Sequence, residues 1–213
     1  MILGISGKAG SGKDTVGKII QWLTADDYDD RTWLKENPEA ALNLNEDSNK
    51  NWVGNPDGLG KFKNKKFGGM VKQITSLITG CTMDDLENRI TKESEIGPEW
   101  GNITYRDFMT TIATNCCRDM IHENTWVNAL FRGFRHEDKW IITDVRFLNE
   151  IESVKARGGI LIRVNRDIDN SIQHRSETEL DDYEGWDYVI DNNVPVRKLI
   201  DIVETILIKE KLL

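Results

Sequence analysis

The sequence has 213 residues, 38% hydrophobic and 30% charged, with 4 Pro and 3 Cys. That is enough chain for one full core, and the composition excludes collagen-like, coiled-coil-only and disulfide-scaffold proteins. A net charge of −8 argues against bulk nucleic-acid binding, and the apolar runs are far too short to span a membrane. The start, MILGISGKAGSGK, has no basic region and reaches glycines too early for a secretory signal, so a cytoplasmic location is expected. Cys81 stands alone and Cys116 adjoins Cys117, a spacing that suits no metal and predicts reduced, buried thiols.

Residues 1–5 read as a short buried strand running into a glycine-rich turn. A helix follows over 14–24, with Val16, Ile19, Ile20 and Leu23 on one face. Residues 25–62 are polar and weakly periodic. They are expected to leave the core, to hold one helix near 32–44, and to be removable over 28–58 without unfolding the rest. Their charge is uneven. Residues 26–57 carry nine acids and three bases, whereas KFKNKKFGGMVK at 61–72 carries five lysines and no acid. That run is either a solvated face or an attractor for a small anion.

A strand over 65–68 leads into a helix with Met70, Val71, Ile74, Leu77 and Ile78 on one face and Gly80 at its end. A helix capped by Thr104 fits 104–121, with Phe108, Met109, Ile112, Cys116 and Met120 at helical spacing. Asn124 opens another, through 134. Then an apolar run, Trp140 to Thr143, ends in Asp144. A helix with Phe147, Leu148, Ile151 and Val154 is closed by Gly158 and Gly159. A strand over 160–164, a polar connector over 165–183 and a strand over 188–190 follow. Asn193 and Pro195 open a last helix striped with Val196, Leu199, Ile200, Val203, Ile206 and Leu207. Alternating strands and helices predict an α/β fold: an open, mostly parallel sheet of four to five strands with helices on both faces. The whole chain is expected to form one domain. Residues 1–24 and 139–213 supply its core, 25–62 an insertion, 63–138 a helical region and 165–183 a lid.

The strongest chemical signal is Gly7-Lys8-Ala9-Gly10-Ser11-Gly12-Lys13-Asp14-Thr15, between a predicted strand and a predicted helix. Glycines let main-chain N–H groups wrap a phosphate, the helix N-terminus adds positive potential, and Lys13 supplies a full charge to β- and γ-phosphates. Asp14 stands where a Ser or Thr ligand to magnesium is usual, and Thr15 comes one place later. Either Asp14 and Thr15 hold Mg²⁺, or the ion relies on other groups. Asp144, at the end of a strand, puts a carboxylate at the edge of the sheet where ligands bind. Arg146, two residues on, can clamp a phosphate bidentately. Residues 163–177 hold Arg163, Arg166, His174 and Arg175. A basic lid of this kind closes over a transferring phosphoryl group, with Arg166 the first candidate to reach it.

At this point a family resemblance is visible. GISGKAGSGKDTVGKII resembles the start of the deoxynucleoside monophosphate kinases of tailed bacteriophages. KKFGGMVKQITSLITGC, ITYRDFMTTIATNCCRDMIHENTWVNAL, WIITDVRFLNEIESVKARGGILIRV and HRSETELDDYEGWDYVIDNN are similar to later parts of that family. The likeness spans nearly all the chain except about 26–60. The sequence departs from the family at Ala113-Thr114-Asn115, usually Gly-Thr-Glu; at Tyr105, usually Pro; at Arg175, usually an acid; and at Val194, commonly Gly.

The resemblance implies a P-loop kinase fold and transfer of the γ-phosphoryl of ATP, with Mg²⁺, to a deoxynucleoside monophosphate. It implies no nucleic-acid or membrane partner, leaves a homodimer open, and puts a viral member in the host cytoplasm. It assigns ATP to the loop, Arg175 and Asn192. It assigns the acceptor to Lys72, Arg106, Ala113, Thr114, Arg118, Trp126, Asp144 and Arg146, with Trp126 stacking on the base. Arg106 and Arg118 on one α-helix would stand about 120° apart around the axis and roughly 18 Å along it. They cannot then share a phosphate unless the helix breaks, so Arg106 is favoured. Small P-loop kinases for non-nucleotide acceptors, such as phosphomevalonate and dephospho-coenzyme A kinases, share parts of this pattern. A nucleotide sensor without transfer activity is the alternative from another class.

Overall fold

A computed structural model describes residues 1–25, 28–43, 61–168 and 174–213. Along the chain these form β1 (Ile2–Ser6), α1 (Lys13–Leu23), α2 (Tyr28–Glu36), α3 (Ala40–Asn43), β2 (Lys63–Lys65), α4 (Gly69–Thr79), α5 (Arg89–Glu93) and α6 (Tyr105–Thr110). A π-helix, Thr111–Ile121, continues α6 and is followed by α7 (Thr125–Phe131). Then come β3 (Trp140–Val145), α8 (Leu148–Lys155), β4 (Ile160–Asn165), α9 (Arg175–Thr178), β5 (Tyr188–Asp191) and α10 (Val196–Lys209). Two compact units result: residues 1–65 with 134–213, and residues 66–133.

The first unit is an open sheet of five strands in the order β2-β3-β1-β4-β5, every neighbouring pair parallel. Parallel strands buried on both faces read as unbroken apolar runs, which is why ILGI and WII are legible as strands. The apolar stripe of α1 (Val16, Ile19, Ile20, Leu23) meets that of α10 (Leu199, Ile200, Val203, Leu207) in one core on the face of Leu3 and Ile5. The other face, that of Gly4, is covered by Val154 of α8. Parallel register holds from Ile2 opposite Trp140 to Gly4 opposite Ile142, then shifts, so that Ser6 stands opposite Val145. Two residues of β3, Thr143 and Asp144, therefore face the single Ile5. Such a bulge re-aims the side chains at a strand end.

Residues 25–62 differ from the expectation. Two short helices form where one was expected, and Leu34 and Ala41 join the main core beside Phe62, with Leu34 wholly buried. Trp33 stacks on Trp22 of α1 with ring centres 5.2 Å apart, and Lys35 pairs with Glu204 of α10. The polar composition hid a few well-placed apolar residues, and those suffice to anchor α2. The acid-rich run lies partly in 26–27 and 44–60, outside the described residues.

The second unit is helical. Thr104 caps α6, its hydroxyl accepting from the Asp107 N–H at 3.1 Å. Gly80, in the left-handed conformation, ends α4 as expected. On α4, however, only Val71 and Thr75 are buried, while Leu77 is 85% exposed. The three cysteines are half-buried free thiols rather than fully buried ones. Among the described residues, no helix is long and apolar enough to cross a membrane.

Candidate active site

The loop between β1 and α1 is shaped by contacts that exclude side chains. Gly12 has φ 91°, and a Cβ there would meet Asn192 Nδ2 at 2.3 Å. A Cβ on Gly7 would meet the Val164 carbonyl oxygen at 2.6 Å. The loop is thus pressed against the ends of β4 and β5, where only glycine fits. Asn192, buried at the end of β5, donates from Nδ2 to the Ser11 carbonyl at 2.8 Å and from its N–H to the Asn165 carbonyl at 2.7 Å. Lys13 is buried, with Nζ 3.4 Å from the Lys8 carbonyl. The Ser11 hydroxyl is buried without a hydrogen-bond partner.

Asp14, in the first turn of α1, accepts from Thr143 Oγ1 at 2.9 Å. The bulge in β3 sets this contact and leaves Asp144 half-buried beside it. Asp14, Thr15 and Asp144 are oxygen donors only. A small, hard set of this kind suits Mg²⁺, which takes one or two carboxylates and completes its shell with water and phosphate.

Arg146 lies just beyond β3. Its Nη1 pairs with Glu177 and donates to the Ser176 carbonyl at 3.3 Å. The buried Glu150 carboxylate accepts from the N–H groups of Arg146, at 2.7 Å, and of Phe147, at 3.2 Å, closing the N-terminus of α8. Arg163, on β4, donates to Ser6 Oγ at 3.1 Å, reaches Asp181 at 3.5 Å and lies over the Trp186 ring. Burial lowers its pKa, while Asp181 pulls it back up. A pocket of about 320 Å³ opens beside the loop, lined by Lys8, Ser11, Arg163 and residues 164–168, with Arg166 exposed on its wall.

Most of the expected lid, 165–183, is among the described residues. Residues 169–173 lie outside them. Residues 174–183 are docked on the loop rather than standing off it: Lys8 pairs with Asp181 at 2.9 Å, and the Ala9 N–H donates to Glu177 at 2.8 Å. His174 caps α9, its Nδ1 accepting from the Ser176 N–H at 3.2 Å. Arg175, assigned to ATP by resemblance, pairs with Glu179 at 2.5 Å and lies over Phe147.

In the second unit, Lys72 pairs with Glu87, and Arg106 with Glu93 at 2.7 Å. Lys92 is half-buried in the same group of charges: burial pushes its pKa down, and Lys72, Arg106 and Lys66 add to that. Burial alone would raise the Glu87 pKa, but Lys72, with Lys66 and Lys92, holds it below the usual carboxylate range. Four cations and two acids thus share one patch. Thr114 and Arg118 are the buried residues of the π-helix, and Arg118 donates to the Glu123 carbonyl at 3.2 Å. A π-helix closes i→i+5 bonds and so turns about 80° per residue rather than 100°. With the change from α to π after Thr110, the 120° separation expected of Arg106 and Arg118 on one continuous α-helix no longer applies. They remain far apart along the axis. Trp126 is 4% exposed, and its indole N–H donates to the Ala113 carbonyl at 2.9 Å, so it braces the π-helix instead of offering an open face to a base.

Thr143, Glu177, Asp181 and Lys92 were missed by sequence reasoning. Nothing in the sequence announces the bulge that pairs Thr143 with Asp14, and Lys92 belongs to no motif. The acids of SETELDD carried the one available signal, since an acidic cluster beside a basic loop invites pairing.

Fold and site together define an open parallel α/β protein of the P-loop kinase type, with a glycine loop at the carboxyl edge of its sheet. The family model described as deoxynucleotide monophosphate kinase matches residues 61–203, and the chain belongs to that family. A relative from Acanthamoeba polyphaga mimivirus, named "Putative deoxynucleotide monophosphate kinase", is 29% identical over 159 residues, covering 67% of this chain and 80% of its own.

Proposed function

We propose that this chain transfers the γ-phosphoryl of ATP to the 5′-phosphate of a deoxynucleoside monophosphate, giving the diphosphate and ADP. The observation that carries the reading is the loop at Gly7–Thr15, held open by Asn192 and β4, with buried Lys13 at its end. A cation beside the N-terminus of a helix favours an anion there, and phosphate oxygens fit that place. The adjoining pocket, about 320 Å³, is of the size that small-molecule sites have and supports ATP as the donor. Membership of the family supports a deoxynucleotide as the acceptor.

Catalysis in this reading is positioning plus electrostatics. Lys13 neutralises the β- and γ-phosphates. Asp14 and Thr15 would hold Mg²⁺, with Asp144 beside them; when bound, the ion neutralises phosphate charge. Arg146 and Arg166 offer guanidinium donors to the transferring group. Lys72, Arg106 and Lys92, with Arg118 and Thr114 on the π-helix, are the groups we assign to the acceptor. The reaction is expected to run in the cytoplasm, of the host for a viral protein.

The test is a panel of the four deoxynucleoside monophosphates with ATP and Mg²⁺, followed by ADP release. Transfer to at least one, lost in Lys13→Ala, is expected. ATP binding without transfer to any of the four would overturn the reading. For Asp14→Asn the magnesium concentration needed for half-maximal rate should rise. An unchanged requirement would remove Asp14 from the ion.

A further inference from the structure

The mechanism above uses Arg146 but says nothing of what aims it. An arginine side chain has many rotamers, and its five N–H donors fan out in one plane, so fixing one nitrogen fixes the direction of the rest. Here the fixing group is Glu177 of α9. Its side chain is only 6% exposed, and its two oxygens serve two different partners. Oε1 pairs with Arg146 Nη1, and Oε2 accepts from the Ala9 N–H at 2.8 Å. One buried carboxylate therefore ties the guanidinium to the main chain of the glycine loop.

Glu177 is itself held from several sides. His174 caps the helix that carries it. Glu179 Oε1, two residues on, accepts from the Leu148 N–H at 3.0 Å, in the first turn of α8. Asp181 is anchored by Lys8 at 2.9 Å and approached by Arg163 at 3.5 Å. The carboxylate thus sits on a braced segment between the loop and the start of α8.

We propose that Glu177 is a positioning residue for phosphoryl transfer: it holds Arg146 in register with the glycine loop, so that the arginine meets the transferring group already aimed. The proposal rests on the kinase reading above. The competing idea is that Glu177 stands in for a phosphate and obstructs it. The two ideas predict opposite signs.

The experiment compares wild type, Glu177→Gln, Arg146→Ala and the double variant, measuring kcat and KM for ATP and for the best acceptor. The carboxamide oxygen of glutamine can still accept from the Ala9 N–H, so the loop contact survives while the charge facing Arg146 is lost. Glu177→Gln should lower kcat on the order of 10–100-fold, the cost of a misplaced group, with KM for ATP changed less than about threefold. In the Arg146→Ala background the same change should cost nothing further, because Glu177 acts through Arg146. Melting temperatures and far-ultraviolet circular dichroism check folding, and Glu177→Asp, too short to reach both partners, is the second variant and should also lose kcat. An unchanged or raised kcat in Glu177→Gln overturns the proposal, and so does a full additional loss in the double variant, which marks a role independent of Arg146. A wild type that transfers to no deoxynucleotide brings down the kinase reading itself, and this inference with it. The wild-type arm keeps that failure distinct from the others.

Discussion

In the first unit Lys13, Ser11 and Asn192 lie buried under the loop, and two glycines are pressed against β4 and β5. In the second unit two ion pairs stand out: Arg106 with Glu93, both well exposed, and the largely covered Lys72 with the exposed Glu87. The first arrangement is costly to alter, because a changed residue moves backbone. The second can be rewritten one side chain at a time, since exposed ion pairs contribute little to stability. The departure at Ala113-Thr114-Asn115 falls in the second unit, on the π-helix, where this logic allows it.

The sharpest way to break this contrast is Lys13→Ala. With Lys13 the buried lysine of the loop, kcat should fall by about 10³-fold, the scale for removing a preorganised charge from a dry site. Near-normal turnover in the folded variant would deny the first unit its role. Leu34→Ala tests how far the rigid region extends. Leu34 is wholly buried in the main core, so the loss should be about 2–5 kcal/mol, read as a lower midpoint in urea. A midpoint within error of wild type would return α2 to the status of a dispensable insertion.

Gly12→Ala should cost roughly 1–3 kcal/mol from its left-handed backbone and push Asn192 off the Ser11 carbonyl, with ATP affinity falling alongside stability. Retained affinity would show that the clamp is not needed. Arg106→Ala, in the second unit, should instead leave stability almost unchanged and raise KM for the acceptor about tenfold, with KM for ATP untouched. Equal changes in both constants would erase the division between the units.

The smallest effects are expected with pH. Tyr188 of β5 donates to Glu210, just past α10, and this bond, with burial and the charge of Glu210, pushes the phenol up to about 12 from 10.0. A raised pKa in the folded state means the contribution is complete below pH 10.0 and is lost as pH rises toward 12. Tyr188→Phe should therefore flatten stability over that window. In the second unit, the depressed pKa of Glu87 works the other way: its contribution is present above pH 4.5 and fades as acid protonates it at lower pH. Glu87→Gln should remove that acid dependence, and an unchanged acid limb in thermal melts would show that the Lys72 pair does not matter.

Much of the first unit was legible in the sequence, because parallel strands and their flanking helices depend on local pattern. Unbroken apolar runs, the 3.6-residue stripes of α1 and α10, and glycines at a strand-to-helix turn are each set within a dozen residues. The loop, Lys13, Asp14, Asp144 and Arg146 stood out for that reason. Other features come from residues far apart in the chain meeting in space. Asn192 reaches the loop from 181 residues away, Glu177 reaches Ala9 from 168, and Thr143 reaches Asp14 from 129. A bulge, a switch from α- to π-helix, and the burial of Leu34 and Trp126 are also decided by packing, which overrides local propensity whenever a few apolar contacts outweigh it. The sequence alone showed which groups are of a type that binds phosphate, because that is set by residue kind and local spacing; only the tertiary structure decided which of them are braced and which are paired.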